Sequence, residues 1–412
     1  MRSKLKMRNR IYIMIVILII FILAIDFFTW YNLAKIVRIN LTYFTIIYWA
    51  ITAILLLFLL YLIFFRSLET RSISNFRAYY LFFGLFILFY LPKIIFTVFK
   101  LVDLLFIQIF KIFNYTFPEL FSYAGVFLGI LIFLFALYGI TYGKFHFKVR
   151  EVTLQFGNLP EEFNNYRIVQ FSDLHLGSWF DNEEKLREAV KLINKQKPDL
   201  VFFTGDLVNN FHEEANPYLD ILKQIQAEDG KYSILGNHDY GDYFNWKSEE
   251  AKNRNLDSVK AKHGVMGFKL LCNESDTVLR DSAGIGILGV ENWGKPPFHQ
   301  YGDVFQAQKN LPEDVPFRIL LSHDPSHWRE KVLNTEDIDL TVSGHTHGMQ
   351  FGIRLPFFKW SPVQWRYPEW GGLYESNGQK LYVNTGLGHI GFPGRSGIRP
   401  EITLIKLKKA GL

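Results

Sequence analysis

From Leu41 to Phe65 the chain carries no charged residue, and comparable apolar runs recur throughout the region before Phe147. A run of roughly 18 or more apolar residues is long enough to cross the hydrocarbon of a bilayer as a helix. Ile11 to Trp30 is such a run, with Asp26 near its far end. Tyr79 to Phe99 is another, interrupted by Pro92-Lys93, and Phe121 to Tyr142 completes a set of four. The first run begins behind a basic stretch, as a secretory signal would. It is long for a signal core, lacks a small-residue cleavage pattern and is followed by further spans, so it reads as a retained helix. Residues 1–146 are therefore expected to form an all-α transmembrane anchor, with spans near 11–30, 41–65, 79–99 and 121–142.

The stretch from Lys93 to Phe113 fits this scheme least well. Lys93, Thr97, Lys100, Asp103 or Gln108, and Lys111 recur at roughly helical spacing. That pattern suits an interfacial helix near 100–113, apolar face down; a fifth span is the alternative. Sidedness follows from basic residues close to the spans. Arg2, Lys4, Lys6, Arg8 and Arg10 precede the first span, Arg66, Arg71 and Arg77 follow the second, and Lys144, Lys148 and Arg150 follow the fourth. With four spans, both ends of the chain are expected on the cytoplasmic side of the cell or inner membrane.

Residues 147–412 have the composition of a soluble domain. Short apolar strands, at 166–171, 200–203, 232–235, 285–288, 317–321 and 340–342, are separated by segments that include helical patterns at 183–197 and 217–225. Alternation of this kind implies an α/β architecture. Two more strands are expected at 380–383 and 401–407. The formal net charge of +6 is partly juxtamembrane, and no basic stripe argues for nucleic acid. The single cysteine, Cys272, excludes an internal disulfide.

Oxygen and nitrogen donors cluster directly after these strands. Asp173-Leu174-His175, Gly205-Asp206, Gly236-Asn237-His238-Asp239, Ser322-His323-Asp324 and Gly344-His345-Thr346-His347 follow in that order. Imidazole suits zinc, iron and manganese, whereas carboxylate and amide oxygens suit harder divalent ions. Seven such donors exceed what one metal needs and point to a two-metal hydrolytic site. Isolated, each residue would be a solvated loop residue or cap.

The five blocks, in spelling and order, resemble the calcineurin-like metallophosphoesterase family, over roughly Val152 to Lys408. The resemblance implies a four-layer αββα sandwich, which periodicity alone does not give. It implies that Asp173, His175, Asp206 and His347 bind one divalent ion. Asp206 would also bridge to a second, held with Asn237, His323 and His345. The ions would be manganese, iron or zinc, with a metal-bridging hydroxide as nucleophile. His238 would serve the leaving group as general acid or cation, and Asp239 would hold its imidazole in the useful tautomer. The activity implied is hydrolysis of a phosphodiester, pyrophosphate or phosphomonoester, with a lipid-linked or sugar-nucleotide substrate suggested by the membrane anchor. A nucleotide phosphodiesterase merely tethered to the membrane is one alternative. A membrane sensor or accessory protein using the fold as a binding module is another, although such a module would not need His238.

Several residues lie outside this pattern. Asn209 stands where relatives often carry Asp, which bears on the surroundings of the ligands rather than on metal binding. His389, in the Gly386–Gly391 loop, could approach a substrate. His327 reads as a surface or packing residue, and His212, His263 and His299 as surface residues. Phe357, Phe358, Trp360, Trp365, Tyr367 and Trp370 crowd one segment with Lys359 and Arg366. They would either rest on a bilayer, where Trp and Tyr are favoured, or pack on their own domain.

Overall fold

A computed structural model describes residues 2–36, 41–66, 73–296, 298–334 and 337–411. Two compact units emerge, Met1–Tyr138 and Gly139–Leu412.

The first unit is helical. Its helices are α1 (Arg2–Ile36), α2 (Leu41–Phe65), α3 (Ile73–Ile112) and most of α4 (Leu120–Thr141). All four are long and apolar enough to cross a membrane. The third expected span and the segment after it form one helix of 40 residues, with Pro92 inside it. At about 1.5 Å per residue α3 is ~60 Å long, twice the roughly 30 Å of bilayer hydrocarbon, so it extends beyond that layer. Its polar stripe has the helical spacing read from the sequence, but its partners lie on other segments of the unit. Lys93 pairs with Asp26 at 2.5 Å, and Thr97 Oγ1 lies 3.1 Å from Thr29 Oγ1. Lys100 pairs with Glu119 at 2.7 Å, while Asp103 accepts the N–H groups of Phe121 and Ser122 at the start of α4. The carboxylate of Asp26 is fully buried and also accepts the hydroxyls of Tyr48 and Tyr90. Charges persist among apolar helices when they are paired in this way.

The second unit contains β1 (Lys148–Phe156), β2 (Arg167–Phe171), β3 (Leu200–Phe203), β4 (Gly230–Ser233), β5 (Lys269–Leu270), β6 (Glu274–Arg280), β7 (Ala283–Gly289), β8 (Arg318–Leu321), β9 (Leu340–Ser343), β10 (Ile353–Arg354), β11 (Lys359–Trp360), β12 (Gly372–Ser376), β13 (Gln379–Val383) and β14 (Glu401–Lys409). Its helices are α5 (Glu183–Lys195), α6 (Leu219–Leu222), α7 (Glu249–Val265), α8 (Val304–Gln308) and α9 (Ser326–Glu330). One six-stranded sheet has the order β1-β14-β2-β3-β4-β5, the other β12-β13-β9-β8-β7-β6, and β10 and β11 form a separate hairpin. The sheets share a core that includes Ile168, Phe202 and Ile405 from one and Ile287, Ile319 and Val342 from the other. The outer face of the first sheet packs on α5, α6 and α7 through Leu186, Ile221 and Val259. That of the second packs on α8 and α9 through Val304 and Trp328. The result is the four-layer αββα sandwich.

Local pattern explains most elements. α5 places Leu186, Ala189, Val190 and Ile193 on one buried stripe. β3 is buried on both faces, hence its continuous apolar run. The helix expected over 217–225 is instead a 3-10 segment, His212–Tyr218, followed by the single turn of α6. Pro217 lies in that segment and cannot donate to a regular helical ladder.

Candidate metal centre

Every expected ligand lies just past the carboxyl end of a strand. Asp173 and His175 follow β2, Asp206 follows β3 and Asn237 follows β4; His323 follows β8, and His345 and His347 follow β9. Loops from both sheets thus meet above the shared core. Five of these residues have left-handed backbones: Asp173 (φ 53°), His175 (46°), Asp206 (60°), His345 (72°) and His347 (50°). Such conformations cost on the order of 1–3 kcal/mol each and persist where the surroundings over-determine them. Here main-chain bonds lock the turns, with Asp173 N–H donating to Gly205 O at 2.9 Å and His175 N–H to Asp206 O at 3.1 Å. Gly205 has no room for a side chain, since a Cβ there would lie 2.5 Å from the nitrogen of Gly236.

The seven side chains form two groups. In the first, His175 Nε2 is 3.0 Å from His347 Nε2 and 3.3 Å from Asp206 Oδ2, and His347 Nε2 is 3.2 Å from Asp173 Oδ1. These four donor atoms lie within 4.8 Å of one another. In the second, His323 Nε2 is 3.3 Å from the same Asp206 Oδ2 and 3.2 Å from Asn237 Oδ1, which is 2.8 Å from His345 Nδ1. Ligands about 2.0–2.2 Å from a common ion are spaced by roughly 3.0–3.5 Å. The first four donors match that spacing and that chemistry, so they fit a divalent ion, and the second set offers the same donor types around the shared Asp206.

Neighbouring groups aim the donors. His323 Nδ1 lies 2.7 Å from the carbonyl of Thr204, which accepts its proton and leaves Nε2 free to ligate. Asn237 donates its amide to Tyr243 Oη at 2.7 Å, turning Oδ1 inward. His345 Nε2 meets Tyr367 Oη at 2.8 Å, leaving Nδ1 for the centre. The other oxygen of Asp206, Oδ1, accepts the backbone N–H of His238 at 2.9 Å. Burial opposes ionisation of Asp206, yet His323, His238 and His175 hold its carboxyl well below the usual range. Burial likewise disfavours a charged His323, but Asp206 overrides it and raises the imidazole. The same field favours a cation between them.

His238 sits beside the centre with Nδ1 donating to the carbonyl of Asn209 at 2.9 Å and its ring 4.5 Å from that of Tyr243. Asp239 does not hold this imidazole as expected. Its Oδ2 accepts the N–H groups of Asp206 and Gly236, and its Oδ1 those of Leu207 and Val208. A carboxylate one residue along a tight turn points the opposite way, so it organises the Asp206 loop and leaves the imidazole to a carbonyl. Asp239→Ala would orphan four buried N–H groups, each costing about 1–3 kcal/mol. It is expected to destabilise the fold by on the order of 4 kcal/mol or more, read as a lower Tm in thermal unfolding.

Among the other histidines, His263 is not at the surface as expected, whereas His327 is a packing residue, one of the two places the sequence allows it. His263 is buried, with Nδ1 2.8 Å from Ser233 Oγ and its ring against Phe203. His327 packs on Trp293 and meets Ser322 Oγ at 2.9 Å. His389 is buried, with its ring near those of Phe145 and Phe180. Near the ligands, Tyr243 and Arg395 carry no signal in the sequence, and Tyr367 stands out only as part of the aromatic segment. The guanidinium of Arg395 is buried, donates to Gly388 O at 2.7 Å and lies 3.2 Å from His347 Nδ1.

Residues 166–349 match a family model described as calcineurin-like phosphoesterase. Residues 7–144 match one described as probable calcineurin-like phosphoesterase, transmembrane domain. Over 270 residues the chain is 34% identical to the metallophosphoesterase YkuE of Bacillus subtilis, covering 63% of this chain and 84% of that protein. The chain belongs to the calcineurin-like phosphoesterase family. This phosphoesterase is also 31% identical over 291 residues to a Danio rerio transmembrane protein with metallophosphoesterase domain, covering 68% of this chain and 62% of the relative. A Bos taurus protein of the same description is 29% identical over 269 residues, 64% of this chain and 57% of the relative. The match spans less than two thirds of either vertebrate protein. Family membership and the buried Asp/His cluster make the chain a metal-dependent phosphoric ester hydrolase. The four apolar helices and the matched transmembrane domain make it an integral membrane protein.

Proposed function

We propose that this phosphoesterase hydrolyses a phosphodiester, pyrophosphate or phosphomonoester with two divalent ions. Asp173, His175, Asp206 and His347 would hold one, and Asp206, Asn237, His323 and His345 the other. The observation that carries this reading is Asp206 Oδ2, which lies 3.3 Å from His175 and 3.3 Å from His323 and so belongs to both donor sets. When bound, manganese, iron or zinc ions would polarise the phosphoryl oxygens and supply an acidified water as nucleophile. The shared Asp206 carboxylate offsets repulsion between the two cations. Asn237 contributes a neutral oxygen, which keeps the pocket from repelling an anionic substrate. Turnover of bis(p-nitrophenyl) phosphate with added manganese tests the reading; equal background rates for wild type and Asp206→Ala would contradict it.

His238 takes the proton chemistry. Its Nδ1–H is committed to Asn209 O, so Nε2 is the atom that exchanges a proton with the leaving oxygen. Burial lowers its pKa to about 4, with Asp206 opposing and His175 reinforcing the shift; an anionic substrate alongside would raise it. His238→Ala is expected to lower kcat by about 10²–10⁴-fold on an alkyl phosphodiester. The loss should be much smaller with p-nitrophenolate, which leaves without a proton. An equal loss for both leaving groups would exclude the general-acid role.

We further propose that the catalytic unit is cytoplasmic, from the basic residues flanking the spans, and that it acts on a phosphate ester presented at the membrane. Reporter fusions at Asn114 and the C-terminus test sidedness, an external C-terminus being the contrary result. A panel of phosphorylated lipids against soluble sugar nucleotides tests the substrate class.

A further inference from the structure

The compact unit that carries the metal centre begins inside the last turn of α4. There Arg395 N–H donates to Gly139 O at 3.1 Å. The approach is close: a Cβ on Gly139 would lie 2.1 Å from Ser396 Oγ, and one on Gly394 2.9 Å from Gly139 C and Ile140 N. Ser396 in turn donates its N–H to Gln350 O at 2.7 Å and accepts that of Gly352 at 3.0 Å. Gly352 immediately precedes β10. The β10–β11 hairpin is therefore rooted on the same few residues that receive the end of a membrane-crossing helix.

The hairpin is apolar where soluble surfaces are polar. Phe357 at its tip is 89% exposed and Trp365 just beyond it 78%, and Ile353, Leu355 and Phe358 are exposed as well. By contrast Tyr367 and Trp370, from the same aromatic segment, are buried against Ile398. The segment thus divides, one part packing on the domain and the other projecting from it. Beside the projecting part is a cleft of ≈ 400 Å³ lined by Arg150, Arg354, Phe357 and Lys359. Arg354 pairs with the buried Glu401, which is 3.7 Å from Arg150, while Lys359 donates to Gly371 O and Tyr374 Oη. Three cations lie near the buried Glu401, and although Lys359 also feels Glu369, that carboxylate is paired with Arg329, so the cleft is net positive.

We propose that the β10–β11 hairpin and Trp365 are a membrane-docking element: Phe357, Phe358 and Leu355 enter the interfacial layer, and the Arg150–Arg354–Lys359 cleft meets the phosphates of anionic lipids. Aromatic and aliphatic side chains beside a cationic cleft match the two attractions such a surface offers, burial of apolar area and charge. Within this unit the hairpin's root is joined through Ser396 and Arg395 to Gly139, in the last turn of α4. This inference is independent of the two-ion reading, because its readout is depth and not turnover.

The single native cysteine makes the test clean. Full-length protein carrying Cys272→Ser and Phe357→Cys, in nanodiscs of anionic phospholipid, is labelled with a nitroxide, and its accessibilities to oxygen and to a water-soluble nickel chelate are compared. Leu57→Cys on α2 and Leu279→Cys on β6, both exposed in the structure, provide the membrane and water benchmarks. The oxygen-to-nickel ratio at 357 is expected several-fold above that at 279 and close to that at 57. Adding Lys359→Gln should lower the ratio in anionic discs and leave it unchanged in zwitterionic ones. A ratio at 357 equal to that at 279 overturns the docking element; a ratio indifferent to Lys359 in anionic discs overturns the role of the cleft.

Discussion

Asp206→Asn is expected to lower kcat/KM for a phosphodiester by about 10³-fold or more while leaving the fold intact. The substitution preserves shape, and an amide oxygen at Oδ1 can still accept the backbone N–H of His238, the 2.9 Å bond seen here. What it removes is the one negative charge common to both donor sets. Without it two divalent ions a few ångströms apart repel each other uncompensated, and loss of the stabilisation they provide, several kcal/mol at about 1.4 kcal/mol per factor of ten, gives that magnitude. Steady-state kinetics with matched thermal unfolding would show it. A tenfold loss or less would mean that the two sets do not depend on a shared carboxylate.

Chelation should be nearly as damaging, and to stability as well as rate. Asp173, His175, Asp206 and His347 sit in left-handed turns whose donors face one another at 3.0–3.3 Å. Ions bound there hold these turns together and favour the folded state by about 2.7–4.1 kcal/mol per site at 100–1,000 times Kd. For a domain of this size each kcal/mol corresponds to roughly 2–4 °C in Tm. EDTA is thus expected to abolish turnover and to lower Tm by on the order of 10 °C, with both restored by manganese. A Tm unchanged by chelation would show that the loops are held by protein contacts alone.

The parts of the molecule legible in its sequence are those set by local chemistry. Strands such as Leu200–Phe203 are apolar throughout because both faces are covered, and the donors follow them at fixed short offsets. The second sheet was not legible from periodicity, since its pairing joins distant strands such as β9 and β13. α7 escaped notice because its buried residues, Asn255, Val259 and His263, include only one aliphatic side chain. The orientation of Asp239 was hidden for another reason. Its partners are backbone N–H groups, which leave no trace in residue identity. Tyr243, Tyr367 and Arg395 reach the ligands from loops whose path only the tertiary fold decides. In the helical unit, the polar stripe of α3 was correctly periodic, but periodicity does not say whether water or another helix lies opposite.

Each chain is expected to bind two ions joined through Asp206. Metal content of the purified full-length protein, measured by inductively coupled plasma mass spectrometry alongside its specific activity, tests it most directly. Activity is expected to rise to its maximum as bound metal approaches two ions per chain. Full activity with one ion per chain, or with none, would contradict it.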